Sequence, residues 1–262
     1  TIIFFLILKF DVIIKELRVE STDMKLGTIT KKITYLLIVF MGFNLSNVFA
    51  ESIKEKGIVT LMYHRFEENK YPSTNIKIHD FKEQIKLIKN SQNEFINFNK
   101  LKSILIDKQA YTGEKILITI DDSFQSFYQN AWPILKKENV PFILFVNTRE
   151  VNDKHANYMS WDQIREVHQS EIGTIGAHSY SHEYLIKLSQ KDIVQDIEQS
   201  HQDFLRELGF IPEVFSYPFG EYSSEIKKLI KDSKYKLAFG QHSGVVHQKE
   251  DLFELPRFPI NE

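Results

Sequence analysis

Two clusters in this chain have the residue types and spacing to do chemistry. ITIDDS (118–123) sets two adjacent carboxylates, Asp121 and Asp122, at the end of a β-rich apolar run, and GAHSYSH (176–182) supplies His178 and His182 at i, i+4. One carboxylate and two imidazoles make three protein ligands, which leaves coordination positions open for water and substrate, as in hydrolytic rather than structural zinc sites. The second carboxylate is then free to act as a base. Each half alone has an ordinary explanation. An Asp-Asp pair commonly turns the chain or caps a helix, and Asp122 or Ser123 would serve here. A histidine pair in a chain with nine histidines is only moderately informative. Joined at strand ends, the two point to a site.

The elements that must position these residues are legible as an alternation. GIVTLMYH (57–64), KILITI (115–120), VPFILFVN (140–147), EIGTIGAH (171–178), PEVFSYPF (212–219) and YKLAFG (235–240) read as strands, with helices at 80–89, 126–138, 161–169, 190–208 and 223–232. The charged residues of 190–206 read as a solvated helix face. Continuous apolar strands separated by helices indicate a parallel sheet covered on its outside, hence an α/β fold, a β/α barrel or a related open sheet. In such folds the carboxyl ends of the strands carry the chemistry. Neighbouring side chains on a straight strand point to opposite faces, so two Asp residues serve one site only where the strand ends and the backbone turns. ITIDDSF sits at such a point.

Composition narrows the partners. Lys plus Arg (33) nearly balance Asp plus Glu (35), which offers nothing to a polyanion such as nucleic acid and favours a neutral or mixed-charge substrate. Without cysteine, a thiolate cluster and a disulfide framework are both excluded, and any metal must use imidazole and carboxylate. Ahead of the alternation, Met24, three lysines, the apolar run ITYLLIVFMGF (33–43) and NLSNVFA ending at Ala50 have the layout of a secretory signal, with Val48 and Ala50 before the cut. The run is shorter than the ~20 residues of a membrane span. Residues 24–50 are therefore expected to direct export to the periplasm, cell envelope or medium, with membrane attachment only if the signal is retained. Residues 1–23 read as an upstream extension, and 51–262 as the catalytic domain, with a C-terminal truncation left open.

ITIDDSF, GAHSYSH and SYPFG, in that order, resemble the polysaccharide deacetylases, the NodB-homology enzymes of the carbohydrate esterase class, and the resemblance runs from Gly57 to Glu262. It implies a distorted (β/α) barrel and a metal-dependent hydrolase that removes the acetyl group from N-acetylhexosamine units of a polysaccharide or oligosaccharide. By the family pattern Asp121 is the catalytic base, Asp122, His178 and His182 bind a divalent metal, and the backbone N–H of Phe219 helps hold the oxyanion, a contact worth about 3 kcal/mol for a single donor. Zinc is favoured, with cobalt, nickel and iron as alternatives. Tyr217 and Pro218 of the same segment are expected to line the substrate site, with His64 in the cleft and Trp161 as a sugar-stacking wall; for His64 and Trp161 packing roles compete. Two departures stand out. Ser216 occupies the place where many members carry an arginine that orients the base, and Arg257 in LPRFP is the best replacement. The late Leu-x-His motif that often supplies the acid is not evident: His247 is a loose match, and both His242 and His247 read as loop residues. The competing functions are a glycan O-acetyl esterase and a carbohydrate-binding pseudoenzyme.

Overall fold

The computed structural model describes residues 57–262, so the expected export signal (24–50) and the upstream extension (1–23) lie outside the described residues. Within Glu55–Glu262, which forms one compact unit, the chain runs β1 (Ile58–Tyr63), β2 (Arg65–Phe66), β3 (Asn75–Ile76), α1 (Ile78–Asn90), β4 (Glu94–Phe95), α2 (Phe98–Leu105), β5 (Lys115–Ile120), a π-helical turn (Phe127–Ala131) continuing into α3 (Trp132–Glu138), β6 (Phe142–Val146), α4 (Thr148–Asn152), α5 (Trp161–Gln169), β7 (Gly173–Ala177), α6 (Gln190–Leu208), β8 (Val214–Ser216), α7 (Ser224–Asp232), β9 (Leu237–Phe239) and β10 (Phe258–Pro259). The six expected strands and five expected helices are present, and the bounds of β5, α5 and α6 coincide with the sequence reading. The helix starts follow from their caps: Ser160 and Gln163 form a reciprocal capping box on α5, Ser189 caps α6, and Gly209 ends α6 in the left-handed conformation open to glycine.

The main sheet is parallel throughout, in the order β10-β1-β5-β6-β7-β8-β9, with β4 beside the first half of β5. The strands alternate between two apolar layers. Phe142, Leu144 and Val146 face the helices, while Ile143 and Phe145 face the concave interior with Leu117, Val214, Phe239 and Leu255. The interior is a packed core, in keeping with a curled, barrel-like sheet. Its gap between β9 and β1 is bridged by residues 246–259. Val246 pairs with Ile58, the Leu255 N–H donates to the Ala238 carbonyl while its own carbonyl accepts the Gly240 N–H, and Phe258 pairs with Leu61. This closing segment was not legible as an element, because LFELPRFP has neither strand alternation nor helical period. It carries Arg257.

Candidate active site

Strand parity sets the site. On β5, Leu117 and Thr119 point inward, and Asp121, whose N–H donates to the Tyr63 carbonyl (2.8 Å), continues that register into the barrel interior. Asp122 would point outward if the strand continued. Instead Asp122 (φ 69°) and Ser123 (φ 52°) turn the backbone into the left-handed region, and both carboxylates reach one place. On β7 the same parity brings His178 inward, with its N–H on the Val146 carbonyl (2.9 Å). His182 returns to it through a tight loop in which Ser179 (φ 64°) and His182 (φ 55°) are left-handed and the His182 N–H donates to Ser179 Oγ (2.9 Å).

The ligand atoms of Asp122, His178 and His182 all lie within 4.8 Å of one another. His178 Nδ1–H donates to the Ser216 carbonyl (2.7 Å), which leaves the Nε2 lone pair facing Asp122 at 3.5 Å. Burial pulls the His178 imidazole down to about 4, so it is neutral at ordinary pH. Burial would raise the Asp122 carboxyl, yet the His182, His64 and His178 imidazoles hold it below the usual range. Asp122 Oδ1 is a buried oxygen with no hydrogen-bond donor although His182 Nε2 approaches to 3.0 Å, because the two are not aligned for an N–H···O bond. An orphaned carboxylate oxygen between two imidazole nitrogens is a donor set suited to a divalent cation, and these three residues would hold it.

Asp121 stands beside this set. It is fully buried, and Arg257 grips it with both arms: Nη1 donates to Oδ1 (2.7 Å) and Nη2 to Oδ2 (2.8 Å). The remaining donors of Arg257 go to Gly240 O (2.9 Å), Thr119 Oγ1 (3.2 Å) and Ser216 Oγ (2.8 Å), so all five N–H groups of a wholly buried guanidinium are satisfied. Burial pushes Asp121 up, but the Arg257 charge, His178, the Arg257 hydrogen bonds and His64 more than offset it and keep the carboxyl below its ordinary value. Ser216 thus sits where an arginine was expected, and its hydroxyl, which also donates to Asp121 Oδ2 (3.3 Å), joins the guanidinium arriving from the closing segment.

His64, next inward after β1, places Nε2 4.0 Å from Asp121 Oδ2 and is partly open to solvent. Phe219 is 38 % exposed, adopts a left-handed turn (φ 58°), stacks on Tyr184 at 3.7 Å and packs 4.7 Å from the His182 ring. Other expected residues are elsewhere. Tyr217 has outward parity: its ring is buried among helix-side residues and its hydroxyl donates to the Phe253 carbonyl (3.0 Å), which leaves no face for a sugar. Pro218 is also buried. Trp161 packs edge-on against Phe204 and donates Nε1–H to Asn152 (2.9 Å), so it belongs to the core between α5 and α6 rather than to a stacking wall. His247 lies against Gly57 at the amino end of β1, the opposite end of the sheet, and cannot supply the acid.

Sequence reading missed three neighbours. Tyr158 lies near enough for the Asp122 charge to contribute to its raised value, after burial. Tyr184 backs Phe219. Asp196 of α6, expected on a solvated face, is buried, as is Asp203 seven residues on. Their i, i+7 spacing on the stripe of Ile193, Ile197, Ser200 and Phe204 was the available signal.

Two carboxylates and two imidazoles gathered at the carboxyl end of a curled parallel sheet define a hydrolase site of the β/α-barrel type. The chain belongs to the polysaccharide deacetylase family, whose pattern it matches over residues 108–238, half of its length. It is 23% identical over 233 residues to a Staphylococcus aureus poly-beta-1,6-N-acetyl-D-glucosamine N-deacetylase, covering 80% of each chain. Its fold is shared with IcaB from Ammonifex degensii (TM-score 0.73, 24% identity, 79% of this chain and 93% of that one). The Streptococcus pyogenes deacetylase PplD in complex with acetate is similar too (TM-score 0.72, 22% identity, 78% and 92%). His64 and Arg257 fall outside the span matched to the family pattern.

Proposed function

We propose that the protein is an exported, metal-dependent polysaccharide deacetylase that hydrolyses the N-acetyl amide of hexosamine units. The observation that carries this reading is Asp121: a buried carboxylate, clamped by Arg257, beside a metal-suited triad but not part of it. A glycan-binding site has no use for a free, oriented base.

A divalent ion held by Asp122, His178 and His182, with zinc favoured, would supply Lewis acidity toward the amide carbonyl and the attacking water. Asp121 accepts the proton that the water loses as its oxygen bonds to the carbonyl carbon. The clamp fixes the direction of both Asp121 oxygens and keeps them ionised, so no reorientation precedes that transfer. The Phe219 backbone N–H serves the developing oxyanion. His64, outside the triad and next to Asp121, is placed to protonate the departing nitrogen, which leaves acetate and a free amine. Exposed Phe219 borders the substrate. An exopolysaccharide of N-acetylglucosamine is the favoured polymer, supported by the named activity of the S. aureus relative.

Acetate release from N-acetylated and O-acetylated oligosaccharides tests the reaction. Turnover of the N-acetylated substrate, abolished in Asp121→Asn, is expected. Release from esters alone makes the protein an O-acetyl esterase, and release from neither makes it a binding protein.

A further inference from the structure

The charged face of α6 was expected to lie in solvent, yet the Asp196 side chain turns inward against the loop that joins the two histidines. Its Oδ1 accepts the Tyr180 N–H (2.8 Å) and its Oδ2 the Ser181 N–H (2.9 Å). These are two of the three residues between His178 and His182. Within the loop, the His182 N–H donates to Ser179 Oγ (2.9 Å) and the Glu183 N–H to Ser181 Oγ (3.3 Å). Ser179 and His182 are left-handed, a conformation costly for residues other than glycine, and strain of this kind persists only where surrounding contacts over-determine it. Thr148 and Arg149 N–H groups, at the start of α4, tie the Ser179 and Tyr180 carbonyls (3.3 and 3.0 Å) from the other side. Asp196 is buried, and both carboxylate oxygens are spent on adjacent amides of one strained turn.

We infer that Asp196 is a positioning residue for the candidate metal centre: it holds the 179–182 turn so that His182 Nε2 faces Asp122. The inference rests on the proposed metal reading. Asp196 itself lies outside the triad and contacts the loop's backbone rather than either imidazole. Asp203 supplies an internal comparison. It is equally an aspartate on the buried face of α6, but its partners are Thr148 Oγ1 (2.7 Å), Asn152 Nδ2 (2.8 Å), Gln199 Nε2 (3.3 Å) and Arg206 Nη1 (2.7 Å), none of them in the histidine loop.

The experiment compares wild type, Asp196→Asn and Asp203→Asn by zinc competition against a chromophoric chelator, by the visible spectrum of the cobalt-substituted proteins, and by metal-free thermal unfolding. The asparagine amide keeps one acceptor and turns an NH2 toward the other N–H. Asp196→Asn is expected to bind zinc about 10- to 100-fold more weakly, the usual loss for outer partners of metal ligands, and to alter the cobalt spectrum. Asp203→Asn is expected to lower the unfolding midpoint while keeping wild-type affinity. Equal zinc affinity in Asp196→Asn and wild type overturns this inference alone, as does a loss of affinity in both variants that merely tracks their loss of stability. A wild type that takes up no zinc overturns the metal reading, and the inference falls with it. Amide hydrogen exchange on the wild-type metal-free protein serves if Asp196→Asn does not fold. Tyr180 and Ser181 amides exchanging as fast as open loop would overturn the inference, and slow exchange supports it.

Discussion

Arg257 decides the state of Asp121. Burial pushes the carboxyl up, but with the guanidinium present its charge and hydrogen bonds, together with the His178 and His64 imidazoles, outweigh burial and the carboxyl sits below its ordinary value. In Arg257→Met burial is left to dominate, so the Asp121 pKa rises. Because the ionised form is the base, the acid limb of kcat/KM should move to higher pH and turnover should fall by roughly one to three orders of magnitude, as for loss of a positioning or electrostatic group. Stability also suffers, since breaking a buried pair costs about 3–5 kcal/mol. A carboxyl depressed on folding contributes stability above its unfolded value and loses it as pH falls through the folded one, so this loss is greatest near neutral pH. An acid limb at wild-type pH in Arg257→Met would show that something else orients and ionises the base. The triad gives a second test. His182→Ala should fail to retain stoichiometric zinc, whereas Asp121→Asn should retain it while losing turnover. Zinc lost from Asp121→Asn would make Asp121 a ligand and undo the division of roles.

At the scale of elements, β6 and β7 meet where His178 is seated. Gly176 faces the barrel interior one pleat before His178, and a Cβ there would lie 2.5 Å from both Cδ1 and Cε1 of Phe145. The Phe145 ring is buried and its centroid lies 6.4 Å from that of His178. Gly176→Ala is therefore expected to overpack the interior and cost about 1–3 kcal/mol, read as a lower urea midpoint at unchanged m-value. An unaltered midpoint would mean that the Phe145 ring has room to turn away.

For the whole molecule, the site is complete only when β5, β7, β8 and the closing segment are assembled, because Asp121 and His178 directly follow β5 and β7, Ser216 ends β8 and Arg257 lies in the closing segment. Among the described residues no helix is long and apolar enough to cross a membrane. Export therefore rests on residues 24–50 of the sequence. Protein recovered from the envelope or medium should begin at Glu51 on N-terminal sequencing. A cytoplasmic product that keeps residues 24–50 would end the export reading, and an envelope product that keeps them would make the segment an anchor.

The sequence by itself determined the alternation of strands and helices, the turn at ITIDDSF and the presence of an Asp pair and a His pair at strand ends, since all follow from local period and from side chains fixed within a few residues of a strand end. That Asp122 rather than Asp121 joins the histidines was implied by the family pattern alone. It also pointed to Arg257 as the substitute for the missing arginine, from family pattern and elimination rather than from any local signal. What tertiary structure alone decided is which face each remaining side chain presents. Tyr217 and Trp161 turned to the core because strand parity and helix packing claimed them, and His247 went to the wrong end of the sheet. Asp196 and Asp203, which look like solvent charges in the helical pattern, are buried because partners arrive from the histidine loop and from the start of α4, 16 and 55 residues away in the chain. The closing segment is the clearest case: LPRFP has no period of its own, and only the gap between β9 and β1 gives it a structure and Arg257 a carboxylate to hold.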